Sequence, residues 1–477
     1  MDEHYAFGGG ASATQLHPLV AVWMLIAIVL ILTLPRQKAI IPFLLAFFTI
    51  PLAQVIVVGG LHFPVVRVLI LVGLIRMVVR GKAASGDKFP GGFNSIDGTV
   101  VLWALSAFAI ASLQWMELQG FVKFAGDFLD ALGGYLVVRF LIPDGEAVRR
   151  TVKVLAVICV IQGIFMLSEQ FTHQNALSFL GAPWPETRVG HVRSAGVMGA
   201  LFGGTFAGVL IPLFIWLWTA GRSRMAAVAG LIGATVMVFA SYSSTSWVAY
   251  GAGLVGLCFW PLRKLMQPIR WGIVAALVGL HLVMHGPVWS LIEKVDITGG
   301  SSNYHRYMLV DNCIRHFSDW WLLGYRHPGN WGFVMWDLCN QFVAVALTGG
   351  LLSLIFYIAI FSRGFGALGN ARKRVNGDRH QEWLLWCLGS VLFANVVASF
   401  GINYMVQLLL LLFPVLSCIS VATSEARQAA VEETEIPSRS QLPSISITVA
   451  RERGWAFYKN TEVQKRNADL LIEGYRR

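Results

Sequence analysis

Residues 301–350 have the sequence SSNYHRYMLVDNCIRHFSDWWLLGYRHPGNWGFVMWDLCNQFVAVALTGG. It follows one long apolar run and leads into another, yet it is too polar and too aromatic to cross a bilayer itself. Its arginines, acids and tryptophans are Arg306, Arg315, Arg326, Asp311, Asp319, Asp337, Trp320, Trp321, Trp331 and Trp336. We expect a large loop outside the lipid here, and we expect the chemistry of the protein to lie in it.

The remainder of the chain is strongly hydrophobic. Of 477 residues, 56% are hydrophobic and only 13% are charged, and the mean hydropathy is +0.63. This is more apolar side chain than a soluble core could bury, so lipid must cover much of it. The first apolar run continues into Pro35 and Arg36 without a small-residue cleavage site, which predicts no cleaved signal peptide. The composition predicts an all-α polytopic membrane protein with lipid as its surroundings.

Apolar runs of about 20 residues, the length that crosses a bilayer core, predict about 12–13 transmembrane helices. The weakest run, 122–142, carries Lys123, Asp127, Asp130 and Arg139, so we expect an inward-facing or partly re-entrant helix with its charges towards the bundle interior or the interface. The predicted spans are 18–34, 40–58, 64–80, 99–116, 122–142, 151–168, 201–219, 225–241, 247–262, 271–289, 341–362, 382–399 and 402–421.

Lysines and arginines collect in alternate short loops, which predicts that these loops face the cytoplasm. The formal net charge of +11 therefore reflects membrane orientation, and we expect no nucleic-acid partner. The basic loops contain Arg36, Lys38, Arg80, Lys82, Lys88, Arg149, Arg150, Arg222, Arg224, Arg263, Lys264, Arg270, Arg363, Arg372, Lys373, Arg374 and Arg379. The intervening loops at 59–63, 242–246 and 400–401 contain neither Lys nor Arg.

Two longer loops, 169–200 and 290–340, break this charge rule. The alternation puts them on the outer side, where short loops have almost no cations, and the second would lie as a helical loop over the bundle. Their basic residues are Arg188, Arg193, Lys294, Arg306, Arg315 and Arg326. We expect these cations to bind an anionic ligand. Snorkelling of arginine to lipid phosphate is the plain alternative.

The chain divides into three parts by composition. Residues 1–168 form N-terminal transmembrane helices, 169–422 form a transmembrane core with the two long loops, and 423–477 form a cytoplasmic tail. The tail begins with SEARQAAVEETEIPSRSQLPSIS, which predicts a flexible, partly disordered linker.

Cysteine and histidine patterns do not predict a metal site. Cys313 and Cys339 both fall in or beside the large loop, where a disulfide is chemically permitted, but sequence cannot fix the distance between them. His305, His316 and His327 lack the spacing of a zinc helix, and interfacial hydrogen bonding explains them more simply. The chain has no phosphate-cradling or dinucleotide-binding glycine pattern, so we expect no metal, nucleotide or other cofactor.

At three places the sequence resembles the O-antigen ligase/polymerase superfamily of bacterial envelope glycosyltransferases. The first is the arginine-rich loop running into a helix at Arg193-Ser194-Ala195-Gly196. The second is the serine-rich turn at 241–246, SYSSTS. The third is the long loop that opens with Arg306 and closes on Asn340-Gln341-Phe342 before Gly349-Gly350. The resemblance covers about residues 190–360.

The resemblance implies a metal-independent glycosyltransferase of the bacterial inner membrane, with its active site on the periplasmic side. Its substrate would be an undecaprenyl-pyrophosphate-linked oligosaccharide, and its other partners membrane lipid and polysaccharide assembly proteins. Arg188, Arg193 and Arg306 would hold the pyrophosphate, with Arg326 a further candidate. Ligases of the family have His before the Asn that ends the loop, whereas here Cys339 precedes Asn340. We therefore favour a polymerase of exopolysaccharide or O-antigen over a ligase that transfers glycan to lipid A core.

The chemistry needs a base for the acceptor hydroxyl and positive charge for the departing pyrophosphate. Asp337 is our candidate base, supported by His305 or His327, although the same carboxylate could simply cap the next helix. The tryptophans of the loop could stack on sugars or anchor the loop at the membrane interface. Two other classes stay open: a transporter or flippase of lipid-linked glycan, and a structural assembly subunit.

Overall fold

The computed structural model describes residues 14–81, 89–221, 223–294, 303–375 and 377–435. The chain is an all-α, multi-pass membrane protein with two small β-hairpins. Its helices are α1 Pro18–Thr33, α2 Ile40–Thr49, α3 Val65–Gly81, α4 Ser95–Trp115, α5 Leu118–Phe128, α6 Gly134–Leu141, α7 Gly145–Thr172, α8 Ala200–Thr219, α9 Arg224–Ala240, α10 Ser244–Cys258, α11 Met266–Val283, α12 Asn303–Arg315, α13 Phe317–Trp320, α14 Gln341–Arg374, α15 Arg379–Ser399 and α16 Val406–Glu435. The strands are β1 Val55–Val58, β2 Leu61–Pro64, β3 Glu186–Arg188 and β4 His191–Arg193.

Within the described ranges, seven helical segments are long and apolar enough to cross a membrane. They are Ser95–Trp115, Gly145–Thr172, Ala200–Thr219, Trp260–Val283, Gln341–Arg374, Arg379–Ser399 and Val406–Ala429. Pro18–Thr33 and Arg224–Ala240 are shorter apolar helices. Each predicted span overlaps a helix, while the total of 12–13 crossings stays a prediction.

The predicted span 40–58 is wrong in its second half. Helix α2 ends at Thr49, directly before Ile50 and Pro51, and the chain then forms the antiparallel pair β1–β2. The residues Val55-Ile56-Val57-Val58 are β-branched and therefore suit a strand, and Gly59-Gly60 has the positive φ angles (59° and 80°) of a two-residue hairpin turn. The sequence contained both signals, but the hydrophobicity of the run led to the prediction of a transmembrane helix.

The charged run 122–142 is helical over its whole length, with a π-helical turn at Leu129–Gly133 between α5 and α6. Asp130 lies 2.7 Å from Arg67 of α3, and Arg139 lies 3.2 Å from Asp97 of α4. Asp130, Arg139 and Asp97 are all buried. The prediction that this run turns charges towards the bundle interior is confirmed for these two residues, because each has an oppositely charged partner there.

Several of the basic loops contact a neighbouring connection or helix end. Arg36 Nε donates to Phe140 O over 2.6 Å, and Arg263 pairs with Glu382 at 2.9 Å. Arg372 Nη2 in turn donates to Arg263 O over 2.9 Å. These contacts join connections that the charge rule placed on the same side of the membrane. Which side that is stays a prediction.

The large loop packs on the start of α14. Its apolar cluster contains Leu309, Cys313, Trp320, Met335 and Cys339. Helix α14 kinks at Gly350, which has a φ of 64°, and the loop occupies the groups that the kink frees: Leu351 N donates to Trp321 O and Tyr325 N donates to Leu347 O, both over 2.8 Å. Cys313 and Cys339 are both free cysteines, so the disulfide considered from the sequence is absent.

Helix α16 continues to Glu435, beyond the boundary at 422 that the sequence predicted for a flexible tail. The residues after Thr423 include Ala, Glu, Arg and Gln, which are strong helix formers and propagate the preceding helix. The remaining tail, from 436 onwards, lies outside the described residues. Contacts within the chain group Met1–Val431 into one compact unit and Glu432–Arg477 into another.

Candidate functional site

Five separate segments of the chain enclose one polar cavity of about 440 Å³. They are the hairpin β3–β4, the start of α8, the turn before α10, the large loop, and the turn between α15 and α16. The lining residues are Arg188, Arg193, Leu201, Phe202, Tyr242, Ser243, Ser244, Arg306, Trp336, Asp337, Leu338, Cys339, Ile402, Asn403 and Met405. The structure thus brings together Arg188, Arg193, Arg306 and Asp337 from the sequence-predicted set.

The hairpin β3–β4 explains why Arg188 and Arg193 face the same way. Arg188 pairs with His191 across the hairpin, and Arg193 pairs with Glu186. Alternate residues of a strand share a face, so these four side chains lie on one side of the hairpin. Val189 and Gly190 form the turn with φ angles of 51° and 76°. A two-residue turn ending in Gly between alternating residues is a hairpin signal that the sequence analysis missed.

Arg193 is held in place and partly desolvated. Its Nη1 lies 3.2 Å from Glu186 Oε2, and its Nε is 3.5 Å from Ser241 O, at the limit of a hydrogen bond. Burial lowers the pKa of Arg193, and the nearby cations Arg188 and Arg306 lower it further, against the opposing effect of Glu186. Arginine stays charged despite such shifts. Arg193 is therefore close enough to Arg188 and Arg306 to be repelled by both, and an anion beside it would relieve that repulsion.

Arg306 lies on α12, which belongs to the large loop and is distant in sequence from the hairpin β3–β4. Its side chain is buried. Its Nη2 donates to Thr245 Oγ1 over 3.2 Å and its Nε donates to Gly401 O over 3.2 Å. Its Nη1 donates to Asn303 Oδ1 over 2.5 Å. Thr245 Oγ1 donates onward to Gly401 O over 3.1 Å. These bonds fix the guanidinium plane relative to the start of α10 and to the turn between α15 and α16.

The segment after β4 is tied to the bundle by α7. Glu169, which is fully buried, accepts hydrogen bonds from Ala195 N over 2.6 Å and from Gly196 N over 2.9 Å. A Cβ on Gly196 would meet Gln162 Oε1 at 2.8 Å. The small residues of this segment therefore serve close packing on α7.

Two helix N-termini face the cavity. Leu201 and Phe202 belong to the first turn of α8, and Ser243 and Ser244 stand at the cap and first residue of α10. The N–H groups at a helix start and the helix dipole both favour an anion. The lining set contains three arginines and a single acid, Asp337. Charge and backbone donors therefore make this cavity suited to a polyanion such as a diphosphate.

Asp337 is the one carboxylate of the lining and its side chain is exposed. The backbone carbonyl of Asp337 lies 2.9 Å from His305 Nε2. The N-cap of α14 is Asn340, whose Oδ1 accepts from Phe342 N and Val343 N. Asn340 therefore caps α14, which was the alternative role for Asp337. The carboxylate of Asp337 instead lines the cavity.

Cys339 also lines the cavity, and its thiol is protonated. Burial raises the pKa of Cys339 to about 11; Arg306 opposes this rise and Asp337 adds to it. A thiol with this pKa is neither a base nor a nucleophile near pH 7. Cys339 therefore contributes surface to the cavity and no acid–base chemistry.

Arg326 and His327 do not join this cavity. Arg326 stacks on Trp115 with its Cζ 3.6 Å from the ring centroid, and it pairs with Glu117 at 3.7 Å. His327 is exposed at the start of a 3-10 turn, Pro328–Trp331. Arg326 belongs to the same loop as Arg306 but does not line the cavity, because the loop packs it against the end of α4. We leave both out of the proposed site.

A mostly apolar cavity of about 390 Å³ adjoins the polar one, and its lining also includes the charged residues Lys123, Asp127 and Asp130. Both cavities are lined by Leu338, Asn403 and Met405. Its walls come from α4, α5, α14 and α16 and include Trp103, Phe108, Phe124, Val345 and Leu409. The sequence offered no signal for this space, because each of these side chains also fits an ordinary helix packing position.

Within the part of the chain that the structure describes, no three His, Cys, Asp or Glu side chains group as metal ligands would. Comparison with protein-family models and with curated proteins finds no match for this chain.

Proposed function

We propose that this protein is a membrane glycosyltransferase whose donor is a polyprenyl-pyrophosphate-linked oligosaccharide. The observation that carries the proposal is the convergence of Arg188, Arg193 and Arg306 on one cavity that also contains Asp337. Arginine binds pyrophosphate through paired parallel hydrogen bonds and keeps its charge at any working pH. Three of them, with two helix starts, match the two or three charges of a pyrophosphate diester or monoester.

In the proposed reaction an acceptor hydroxyl oxygen attacks the anomeric carbon of the donor sugar. The bond from that carbon to the pyrophosphate oxygen breaks, and its electron pair leaves with the polyprenyl pyrophosphate. The hydroxyl proton passes to the Asp337 carboxylate. Negative charge grows on the leaving group as the bond lengthens, and the fixed guanidinium groups stabilise it most in the transition state.

The adjoining apolar cavity supports a lipid-linked donor. A polyprenyl chain on the pyrophosphate would need an apolar surface directly beside the arginines. The cavity lined by Trp103, Phe108 and Leu409 provides one, and it meets the polar cavity at Leu338, Asn403 and Met405. A free nucleotide sugar would make no use of that surface.

Among the possible acceptors we propose a growing glycan, so that the enzyme polymerises repeat units of an exopolysaccharide or O-antigen on the periplasmic face of a bacterial inner membrane. Cys339 occupies the position where ligases of the resembled family have His, and its raised pKa of about 11 prevents it from replacing that imidazole as a base. Ligation to a lipid A core is the alternative outcome of the test below.

The kink in α14 has the form of the broken helices of transporters, which expose backbone groups to a substrate. Here those backbone groups already have hydrogen-bond partners within the protein. Leu347 O accepts from Tyr325 N and from Gln114 Nε2, and Leu351 N donates to Trp321 O. The kink therefore serves to dock the loop, which favours an enzyme over a flippase.

The test is glycan transfer by the purified protein in lipid nanodiscs, supplied with an undecaprenyl-pyrophosphate oligosaccharide. We expect longer glycan on the lipid, and losses of at least about a hundredfold in Arg188→Ala and Arg306→Ala. Arg326→Ala is the matched control, because Arg326 lies in the same loop outside the cavity, and it should keep wild-type turnover.

Unchanged turnover in both cavity variants would remove the proposed site. Glycan joined to added lipid A core without chain growth would select the ligase. Substrate crossing a liposome membrane with no new glycosidic bond would select the flippase.

A further inference from the structure

One tryptophan of the large loop is placed differently from its neighbours. Trp336 is 72% exposed and yet lines the arginine cavity, so its ring stands at the cavity mouth. The residue that follows it is Asp337. In the described part of the chain, no aromatic ring or hydrogen-bond partner engages the Trp336 indole.

Two of the other tryptophans of the loop, Trp320 and Trp331, have structural partners, while Trp321 is 45% exposed and does not line the cavity. Trp320 is buried and its Nε1 donates to Cys313 O over 2.7 Å. Trp331 is stacked between Tyr325 and His316, at centroid distances of 5.0 and 5.1 Å. Those two indoles stabilise the loop. The Trp336 indole, with its polar N–H group and its large apolar face, has no such partner among the described residues.

The backbone around Trp336 is fixed, so this exposure is built into the loop. The preceding Met335 is buried, with its sulfur 3.3 Å from Asn312 Nδ2. Val334 has a φ of 62°, a left-handed conformation that β-branched residues rarely adopt. Asp337 N donates to Val334 O over 3.0 Å and so keeps that turn closed. Strain of this kind persists where the surrounding structure fixes the backbone, and it collects at functional sites.

We propose that Trp336 is the saccharide-binding platform of the cavity, stacking on the apolar face of the sugar that is joined to the pyrophosphate. The inference rests on the proposed function and names a further residue for it. With the diphosphate held by the arginines, the first sugar must lie beside Asp337, which is one residue from Trp336. A pyranose has one face of C–H groups, and an exposed indole offers the matching flat apolar surface.

The competing role for an exposed indole near a membrane is an interfacial anchor in lipid. Phe333 separates the two roles, because it lies in the same turn, is 94% exposed and does not line the cavity. A lipid anchor would involve Phe333 at least as much as Trp336. A sugar platform would involve Trp336 alone.

The experiment measures binding of two probes to the full chain in nanodiscs: undecaprenyl pyrophosphate without sugar, and the same lipid carrying an oligosaccharide. We expect Trp336→Ala to weaken binding of the glycan-bearing lipid about tenfold and to leave the sugar-free lipid unchanged. Trp336→Phe should restore most of the affinity, and Phe333→Ala should match the wild type with both probes. The apparent unfolding temperature of each variant verifies its fold.

Equal affinity of Trp336→Ala and wild type for the glycan-bearing lipid would overturn the inference. Equal weakening for both probes would also overturn it and would identify a lipid anchor. Failure of the proposed function looks different: the wild type then binds neither probe, or Arg188→Ala leaves binding of the sugar-free lipid intact.

Discussion

Arg306 Nη2 donates a hydrogen bond to Thr245 Oγ1 over 3.2 Å, and this contact joins the large loop to the first turn of α10. Thr245 is buried, so its hydroxyl cannot be replaced by water without rearrangement. Thr245→Val keeps the shape of the side chain and removes the acceptor, leaving a buried charged donor unsatisfied at a cost of about 1–3 kcal/mol. We expect affinity for undecaprenyl pyrophosphate to fall about tenfold, as measured by titration in nanodiscs.

Thr245→Ser is the control, because serine keeps the hydroxyl and loses only a methyl group. Its affinity should stay near that of the wild type. Wild-type affinity in Thr245→Val would show that the orientation of Arg306 does not depend on α10.

A second prediction concerns the buried carboxylate that anchors the arginine hairpin. Glu169→Gln keeps one acceptor oxygen but turns an NH₂ group towards the N–H of Ala195 or Gly196, which now donate to the carboxylate. One buried donor loses its acceptor, so we expect a loss of about 1–3 kcal/mol of stability and a displaced Arg193. Thermal unfolding should shift down by several degrees, and diphosphate affinity should weaken with it.

Glu146→Gln serves as the matched control, since Glu146 lies on the same helix with a half-exposed side chain in surface ion pairs. Exposed pairs of that kind contribute little. A drop in unfolding temperature as large in Glu146→Gln as in Glu169→Gln would contradict the anchoring role.

Hydrophobic periodicity located the helices, and the charge rule grouped several loops that do contact one another, because both depend on averages over many residues. These averages failed where a few residues determine the local secondary structure. The run at 40–58 is apolar enough for a span, yet Pro51 and the Gly59-Gly60 turn make half of it a hairpin. The tail after Thr423 was assigned by its Ser and Glu content, while its local helix propensity extends α16 to Glu435.

The site was predictable to the extent that charge placement reveals it. Arg188, Arg193 and Arg306 stood out because they break the sidedness of charge, and all three line the cavity. Arg326 stood out for the same reason and stacks on Trp115 instead. Sequence cannot separate these cases, because the difference is a tertiary contact between the loop and the end of α4. The adjoining apolar cavity was equally invisible.

Cys339 provides a chemical test of the cavity. With a pKa raised to about 11, the thiolate fraction at pH 8 is about 0.1%, against about a quarter for an ordinary thiol. The greater nucleophilicity of a high-pKa thiolate offsets part of this difference. We expect alkylation by iodoacetamide at least about tenfold slower than in the unfolded chain, with a rate that keeps rising with pH towards 11. Peptide mass spectrometry of Cys339 follows the rate, and a plateau near pH 8.5 would contradict the burial.

The docking of the large loop on α14 depends on Gly324. This residue has a φ of 72°, and a Cβ added there would collide with the backbone oxygen of Leu347, which cannot move aside as a side chain could. Gly324→Ala should therefore cost about 3 kcal/mol or more, from left-handed strain and from the lost hydrogen bond of Tyr325 N to Leu347 O. Gly329→Ala is the matched substitution in the same loop, since a Cβ at Gly329 meets open space. We expect Gly324→Ala to make residues 303–340 susceptible to limited proteolysis. It should also abolish diphosphate binding, because the undocked loop no longer holds Arg306 and Asp337 in position in the cavity. Equal protease resistance in the two variants would mean that the loop keeps its position without this contact, and the cavity would have to be explained by the hairpin and α10 alone.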